Sequence, residues 1–355
     1  MNLSNLLEDL SNAFGPSGFE DEVNAVARRY APSGVEFAED SLRNLYLRSQ
    51  IRAGDKPVVM LDAHSDEVGF IVQAIRPNGL LQILPLGGWV SYTIPAHKVL
   101  IRNSGGRLIS GVVASKPPHF LSGDQQKKVP EISSMYVDVG ASSADEAREV
   151  FGIAIGAPVA PDVRFTHNPL NDVAMGKAFD CRVGCACVVA TISQVIQNNL
   201  AVEPVGVFST QEEVGLRGAI VAAKTVNPAV SIVFEGSPAD DTFAEPWAAQ
   251  TALGKGPMLR HFDQGMITNP RFMRFALETA REASIPFQEG VRSGGRTDGA
   301  AIHLSGSGVP TVVIGIPVRY IHTHHGYMNM KDMDAAISLG IAMLRRLTPD
   351  IIAGF

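Results

Sequence analysis

Three cysteines are all that this chain of 355 residues contains, and Cys181, Cys185 and Cys187 sit close together. An odd, crowded set does not make a disulfide framework. Its spacing matches no structural zinc site either, so the thiols read as small groups that pack a helix. No stretch of 18 apolar residues occurs, which excludes a membrane-spanning helix. Lysine and arginine form no cluster, Lys127-Lys128 being only a pair, and the formal net charge is −6. A nucleic-acid partner ordinarily demands a basic face, so that class is set aside. The opening residues Met1-Asn2-Leu3-Ser4 carry no basic segment ahead of an apolar one, and Glu8 and Asp9 interrupt the next few positions. No secretory signal is read there, and the cytoplasm is the expected compartment. Internal repeats and low-complexity segments are also missing.

What is present suits a chain that builds a core, with 45% hydrophobic and 19% charged residues. The length fits two domains or one large one. Leu3, Leu6, Leu7, Leu10 and Phe14 recur at the spacing of one helix face. Gly15-Pro16-Ser17-Gly18 breaks that helix, and Ser17 is placed to cap a second one carrying Phe19, Val23, Val26, Ala27 and Tyr30. Strands are expected at 35–37 and 45–47. Val58-Val59-Met60-Leu61 is apolar on both faces, as in a strand at the centre of a sheet. From Val68 to about Val163 the texture changes to short strand-like runs at 69–75, 80–84, 97–102 and 107–114. Asn78-Gly79, Gly87-Gly88 and Gly105-Gly106 separate them, the mark of an all-β insert. Beyond Pro169 the pattern predicts a long helix over 175–196, a strand at 203–209, a helix at 216–225 and a strand at 230–235. A helix at 271–283, a strand at 309–316 and a helix at 331–347 complete it. That alternation predicts an α/β fold, a mixed and mostly parallel sheet flanked by helices, with a small all-β insertion.

The richest chemistry lies where Val205 to Phe208 run into Gln211-Glu212-Glu213-Val214-Gly215. Successive side chains on a strand face opposite ways, so two neighbouring acids share a cleft only where the strand gives way to a loop. On this reading Glu213 holds a metal ion and Glu212 moves protons. The plain alternative is that both acids open the next helix, whose dipole favours negative charge. The central strand runs into Asp62-Ala63-His64-Ser65-Asp66, and ligands gather where the strands of open α/β sheets end. Residues two apart on an extended segment share a face, so Asp66 can steady the imidazole of His64. Asp180 opens a helix of apolar and small residues, as a dipole partner or as a ligand whose two oxygens bridge two cations. Ser231-Ile232-Val233-Phe234 ends in Glu235-Gly236 and repeats the pattern at Glu213. His322, His324 and His325 come after the strand at 312–316, as a solvated loop or as metal ligands. Two histidines and three acids so placed match the donors that zinc, cobalt or manganese accept. Three carboxylates, two divalent ions and a bridging hydroxide carry no net charge. Without cations, each buried carboxylate costs on the order of several kcal/mol.

The motifs AHSDEVGF, GKAFDCRVG, STQEEVGLRGA, FEGSPADD, SGGRTDGAAIH and RYIH resemble those of the tetrahedral aminopeptidase family of dinuclear metallopeptidases. That family holds glutamyl, lysyl and deblocking aminopeptidases, with some members misnamed endoglucanases. The likeness runs through nearly the whole chain in the family's order. It implies a zinc-exopeptidase-like core of residues 1–66 and 166–355, an inserted β domain at 67–165 serving oligomerisation, and dimers that assemble into a hollow dodecamer. It also implies two divalent ions per subunit, zinc first with cobalt or manganese as alternatives. His64, Asp180 and Glu235 would hold one, and Glu213, His322 and the shared Asp180 the other. Glu212 would be the general base and Asp66 the group behind His64. The implied reaction removes N-terminal residues from short peptides.

This chain departs from the family at three places. The family has a second aspartate where Cys181 stands, and many members have Asp where Glu235 stands. Thr323-His324-His325 replaces a Ser-Pro after the last ligand, which makes His324 a competitor of His322. Gly294, Gly295, Arg296, Thr297 and Asp298 form an expected substrate-side loop, since paired glycines allow close backbone approach; the plain alternative is a helix-opening turn. Arg292 or Arg296 is a candidate for favouring an acidic first residue. His97, His119, His167, His261 and His303 read as surface or core residues. Three rival readings remain: a metal-dependent deacylase of N-acyl amino acids, a glycosidase with Glu212 and Glu235 as its acid pair, and a non-enzymatic assembly or binding protein whose β insert mediates self-association. The glycosidase leaves His64 and His322 idle.

Overall fold

The computed structural model describes residues 1–50, 54–123 and 128–355, so Lys127 of the lysine pair lies outside the described residues. Helices α1 (Leu3–Asn12) and α2 (Asp21–Tyr30) precede strands β1 (Val35–Glu39), β2 (Leu45–Ser49) and β3 (Val58–His64). Next come β4 (Gly69–Ile75), β5 (Leu81–Leu86), β6 (Lys98–Arg102), β7 (Leu108–Val113), β8 (Tyr136–Asp138) and β9 (Pro158–Pro161). After them stand β10 (Thr166–Asn168), β11 (Val173–Gly176), α3 (Phe179–Val195), β12 (Glu203–Ser209), α4 (Arg217–Val226) and β13 (Val230–Pro238). The remainder is β14 (Met258–Phe262), α5 (Pro270–Glu282), β15 (Gln288–Val291), α6 (Gly299–Ile302), β16 (Thr311–Val318), β17 (Gly326–Asn329), α7 (Met330–Arg346) and α8 (Pro349–Ala353).

Eight strands form one mixed sheet in the order β1-β2-β12-β3-β13-β16-β14-β15. Its centre, β12, β3, β13 and β16, is parallel, and β2 and β14 pair antiparallel on either side. Helices cover both faces, so β3, β13 and β16 are buried along nearly their full length. Strand alternation sends Leu61, Ile232, Phe234 and Ile314 to the face covered by α1, α3, α5 and α7. It sends Met60, Val207, Val233 and Val313 to the other, under α4 and α6. Helix α3 lies so close on β13 that a Cβ at Gly184 would collide with the carbonyl of Phe234. That close approach sets the start of α3 against the end of β13.

Strands β4-β5-β8-β7-β6-β9 close into a barrel, which leaves them no free edge. Phe70, Val72, Leu81, Ile83, Val99 and Ile101 fill its interior. A separate sheet, β10-β11-β17, lies outside both. No described helix is long and apolar enough to cross a membrane.

Two local expectations are corrected. The helix predicted from 175 starts at Phe179, because residues 173–176 pair as a strand with β17, Met175 opposite Tyr327. A four-residue apolar run is ambiguous by periodicity alone, and the partner strand decides it. Ser17 does not cap α2, whose preceding residue is Glu20; the Ser17 hydroxyl donates to Asp66 instead.

Candidate metal centre

Parallel strands deliver their carboxyl ends to one edge of the sheet, the usual place for a ligand. Strand β3 ends at His64, the turn after β12 carries Glu212 and Glu213, and Glu235 lies near the end of β13. The loop after β16 brings His322, and Asp180 enters from the first turn of α3. The structure brings these side chains together around Asp180. Its Oδ1 lies 3.0 Å from His64 Nε2 and its Oδ2 lies 3.3 Å from His322 Nε2. Glu235 Oε1 flanks His64 Nε2 at 3.5 Å, and Glu213 Oε2 flanks His322 Nε2 at 3.4 Å. Two donor groups therefore share one carboxylate, and in each the donor atoms lie within 4.8 Å of one another. The sulfur of Cys181 falls within reach of the first group. Its S–H donates instead to the carbonyl of Phe234 at 3.2 Å.

The electrostatics are those of acids packed without enough positive charge. Burial pushes Glu213 up to about 8 and Glu235 up to about 7, despite the imidazoles beside them. Burial also favours the neutral form of Asp180, but hydrogen bonds from His322 and His64 outweigh it and hold that carboxyl below the usual carboxylate range. Burial would lower His322 as well, yet its bond to Asp180 and the charge of Glu213 raise it to about 9. Glu213 Oε1 is buried with no hydrogen-bond partner. An orphaned carboxylate oxygen, two imidazole nitrogens aimed at carboxylates and one carboxylate divided between two groups are what a pair of divalent ions would satisfy. The donor set fits such ions.

Behind the donors stands Asp66. It lies 3.3 Å from His64 Nδ1 and accepts the hydroxyl of Ser17 at 2.5 Å. The backbone N–H groups of Glu212 and Glu213 donate to its two oxygens at 2.9 and 3.2 Å. One carboxylate thus fixes both an imidazole and the turn that carries two acids. Glu20 adds a second brace by accepting the Gln211 N–H at 3.1 Å. Ser17 and Glu20 are not evident as site residues in the sequence, where Gly15-Pro16-Ser17-Gly18 reads as a helix breaker with Ser17 as the cap of the next helix. A polar residue inside a tight Gly/Pro turn is the available signal. Asp62, buried next to Asp298, is likewise not evident.

A cleft of about 480 Å³ opens over the donors, lined by Glu212, Glu213, Glu235 and His322 together with Arg260, Arg292 and residues 294–297. Gly88, reached from the barrel, completes the rim, and a Cβ there would come within 3.3 Å of His322 Nδ1. Gly294, Gly295, Arg296 and Thr297 of the expected substrate-side loop line the cleft. Asp298 does not; it is buried behind that wall and accepts the Ser209 hydroxyl at 2.6 Å. His324 is no competitor for His322. It stacks on His97 with ring centroids 3.8 Å apart, and among the described residues it joins neither donor group. Burial keeps it neutral, pushed down to about 3.

The family model described as M42 glutamyl aminopeptidase matches residues 44–339. The chain belongs to that family. It is therefore a hydrolase of peptide bonds, an aminopeptidase. The glutamyl aminopeptidase of Lactococcus lactis subsp. cremoris is 33% identical over 355 residues, 99% of each chain. The lysyl aminopeptidase of Pyrococcus furiosus is 34% identical over 306 residues, 83% of this chain and 84% of the relative. Among solved structures, the TET aminopeptidase of a marine-sediment Thaumarchaeota archaeon superposes with a TM-score of 0.93 at 39% identity, covering 100% of this chain and 99% of the other. This M42 aminopeptidase thus shares both the sheet and the barrel with its relatives.

Proposed function

We propose that this M42 aminopeptidase removes N-terminal residues from short peptides with two divalent ions, zinc first and cobalt or manganese as alternatives. His64, Asp180 and Glu235 hold one ion, and Asp180, Glu213 and His322 hold the other. The observation that carries this reading is the division of Asp180, one oxygen toward each imidazole. When bound, such ions supply Lewis acidity and lower the pKa of water from about 15.7 toward 7. Glu212, half-buried in the cleft wall with its backbone held by Asp66, is the general base. It accepts a proton from the attacking water and passes it to the leaving amine nitrogen as the C–N bond breaks. Asp66 orients His64 and, through two amide bonds, keeps Glu212 and Glu213 in register. The loop at 294–297 bounds the space for the first residue of the substrate. We extend the proposal to self-association of dimers into a dodecamer, with residues 67–165 as the assembling domain. Phe243 and Trp247, 79% and 88% exposed, add apolar surface to the catalytic part.

The test pairs elemental analysis of the purified protein with a panel of aminoacyl anilides before and after chelation. About two divalent ions per chain are expected, with activity that disappears on chelation and returns with zinc, cobalt or manganese. Activity that survives complete metal removal would contradict the proposal. N-acetylated substrates separate it from a deacylase, because only free N-termini should react.

A further inference from the structure

The two groups of donors are braced differently. Asp66 stands behind His64, 3.3 Å from its Nδ1. Among the described residues no carboxylate pairs with the Nδ1 of His322, whose neighbour on that side is Gly88, where a Cβ would come within 3.3 Å. The backbone that carries His322 is also unfavourable. Tyr320 and His322 have φ of 62° and 58°, in the left-handed region that bulky side chains rarely adopt. Such a conformation persists only where the surroundings fix it. Arg319 and Tyr327 fix the base of the loop, each N–H donating to the other's carbonyl, at 2.9 and 3.3 Å. The barrel fixes its tip. His324, 1% exposed, lies against His97 with ring centroids 3.8 Å and planes 18° apart, and against Trp89 at 5.1 Å. His97 comes just before β6, and its carbonyl accepts the N–H of Val113 in β7 at 2.9 Å. Trp89 stacks on Phe70 at 4.9 Å, and its indole N–H donates to the Gly69 carbonyl at 2.9 Å. Neither nitrogen of His324 has a hydrogen-bond partner among the described residues, so the faces of the ring hold it in place.

We propose that His97 and His324 are positioning residues for the ligand His322: their stack pins the loop at 319–327 to the barrel and so aims His322 Nε2 at the ion beside Asp180 Oδ2. The inference rests on the two-ion reading and assigns a role in it to the barrel. The stacked ring stands only two residues along the chain from the ligand, so a loop freed at its tip carries His322 with it. Flat rings in contact fix orientation as well as distance. Without them, an ion must order the loop as it binds, and that entropy is subtracted from its affinity. The His64 ion is braced by Asp66 instead, so the two ions should respond differently to the same change. The barrel thus reaches the metal centre by one contact at its rim, outside its packed interior.

The test titrates zinc calorimetrically into chelator-stripped wild type, His97→Ala, His97→Phe, His324→Ala and the double alanine variant. Breaking the stack should weaken one ion by about ten- to a hundredfold and leave the other unchanged. His97→Phe keeps a flat ring without ring nitrogens and should bind both ions as the wild type does. The two alanine changes should not add, since either alone breaks the contact. Anomalous scattering from crystals of His97→Ala should show the weakened ion to be the one beside His322. Unchanged binding in His97→Ala, equal weakening of both ions, additive effects, or a His97→Phe no better than His97→Ala overturns the proposal. Metal-free crystals of His97→Ala and wild type ask the same question without any ion. The loop should be displaced in the variant, with His322 Nε2 withdrawn from Asp180 Oδ2, against 3.3 Å in the native chain. If the wild type binds no zinc, the two-ion reading fails and this displacement alone decides the positioning role. A loop left in place overturns it.

Discussion

Inside the barrel, Phe70, Val72, Leu81, Ile83, Val99 and Ile101 face one another, and the closed ring of strands satisfies their backbone. The central strands of the main sheet carry the same kinds of residue for most of their length. At their carboxyl ends they present His64 and Glu235, with Glu213 and His322 just beyond, to one corner. The barrel interior is complete in itself. The sheet's edge is not, as the raised Glu213 and Glu235 and the unpartnered Glu213 Oε1 record. The difference separates two kinds of burial. Apolar burial stabilises without help, whereas buried acids need a counter-charge and so mark where a ligand belongs.

The comparison can be broken most severely at Asp180. Asp180→Ala removes the carboxylate common to both donor groups, so bound metal should fall from about two ions per chain to near none, with activity at background; elemental analysis and an anilide assay check this. Glu212→Gln sharpens the comparison by sparing the donors. Metal content should stay at the wild-type level while kcat drops by about 10²- to 10⁴-fold, and near-normal turnover would refute the role of Glu212.

Ser17→Ala acts one layer further out. Losing the hydroxyl that holds Asp66 should lower metal affinity or kcat by about ten- to a hundredfold, with substrate KM little changed and partial recovery in Ser17→Thr. Ile101→Ala addresses the other region. A cavity inside the barrel should cost about 2–5 kcal/mol in denaturant unfolding while kcat/KM of the folded enzyme changes by less than about twofold, since Ile101 packs within the barrel's own cluster. Loss of activity as large as that in Ser17→Ala would mean that the two regions are not separable.

Much of the fold and of the site is legible in the sequence where the signal is local. The α/β alternation, the barrel strands and the acids and histidines at strand ends all come from short patterns, because a buried strand is apolar until it stops. The parts that are not legible depend on distant partners. Ser17 looks like a helix cap, and only the return of the chain 49 residues later brings Asp66 to it. Met175 and Gly176 look helical until β17 arrives beside them. His324 and His322 are alike on paper, and the stacking on His97 tells them apart. Likewise Arg292 and Arg296 are equal candidates in the sequence, and only Asp240 and Thr251 show which of them is already occupied.

The most direct measurement is anomalous X-ray scattering from crystals of the zinc-loaded protein. Two peaks about 3.5–4 Å apart are predicted, one beside Asp180 Oδ1 with His64 and Glu235, the other beside Oδ2 with Glu213 and His322. A fully loaded crystal with a single peak, or with its ions bound away from Asp180, would contradict the account.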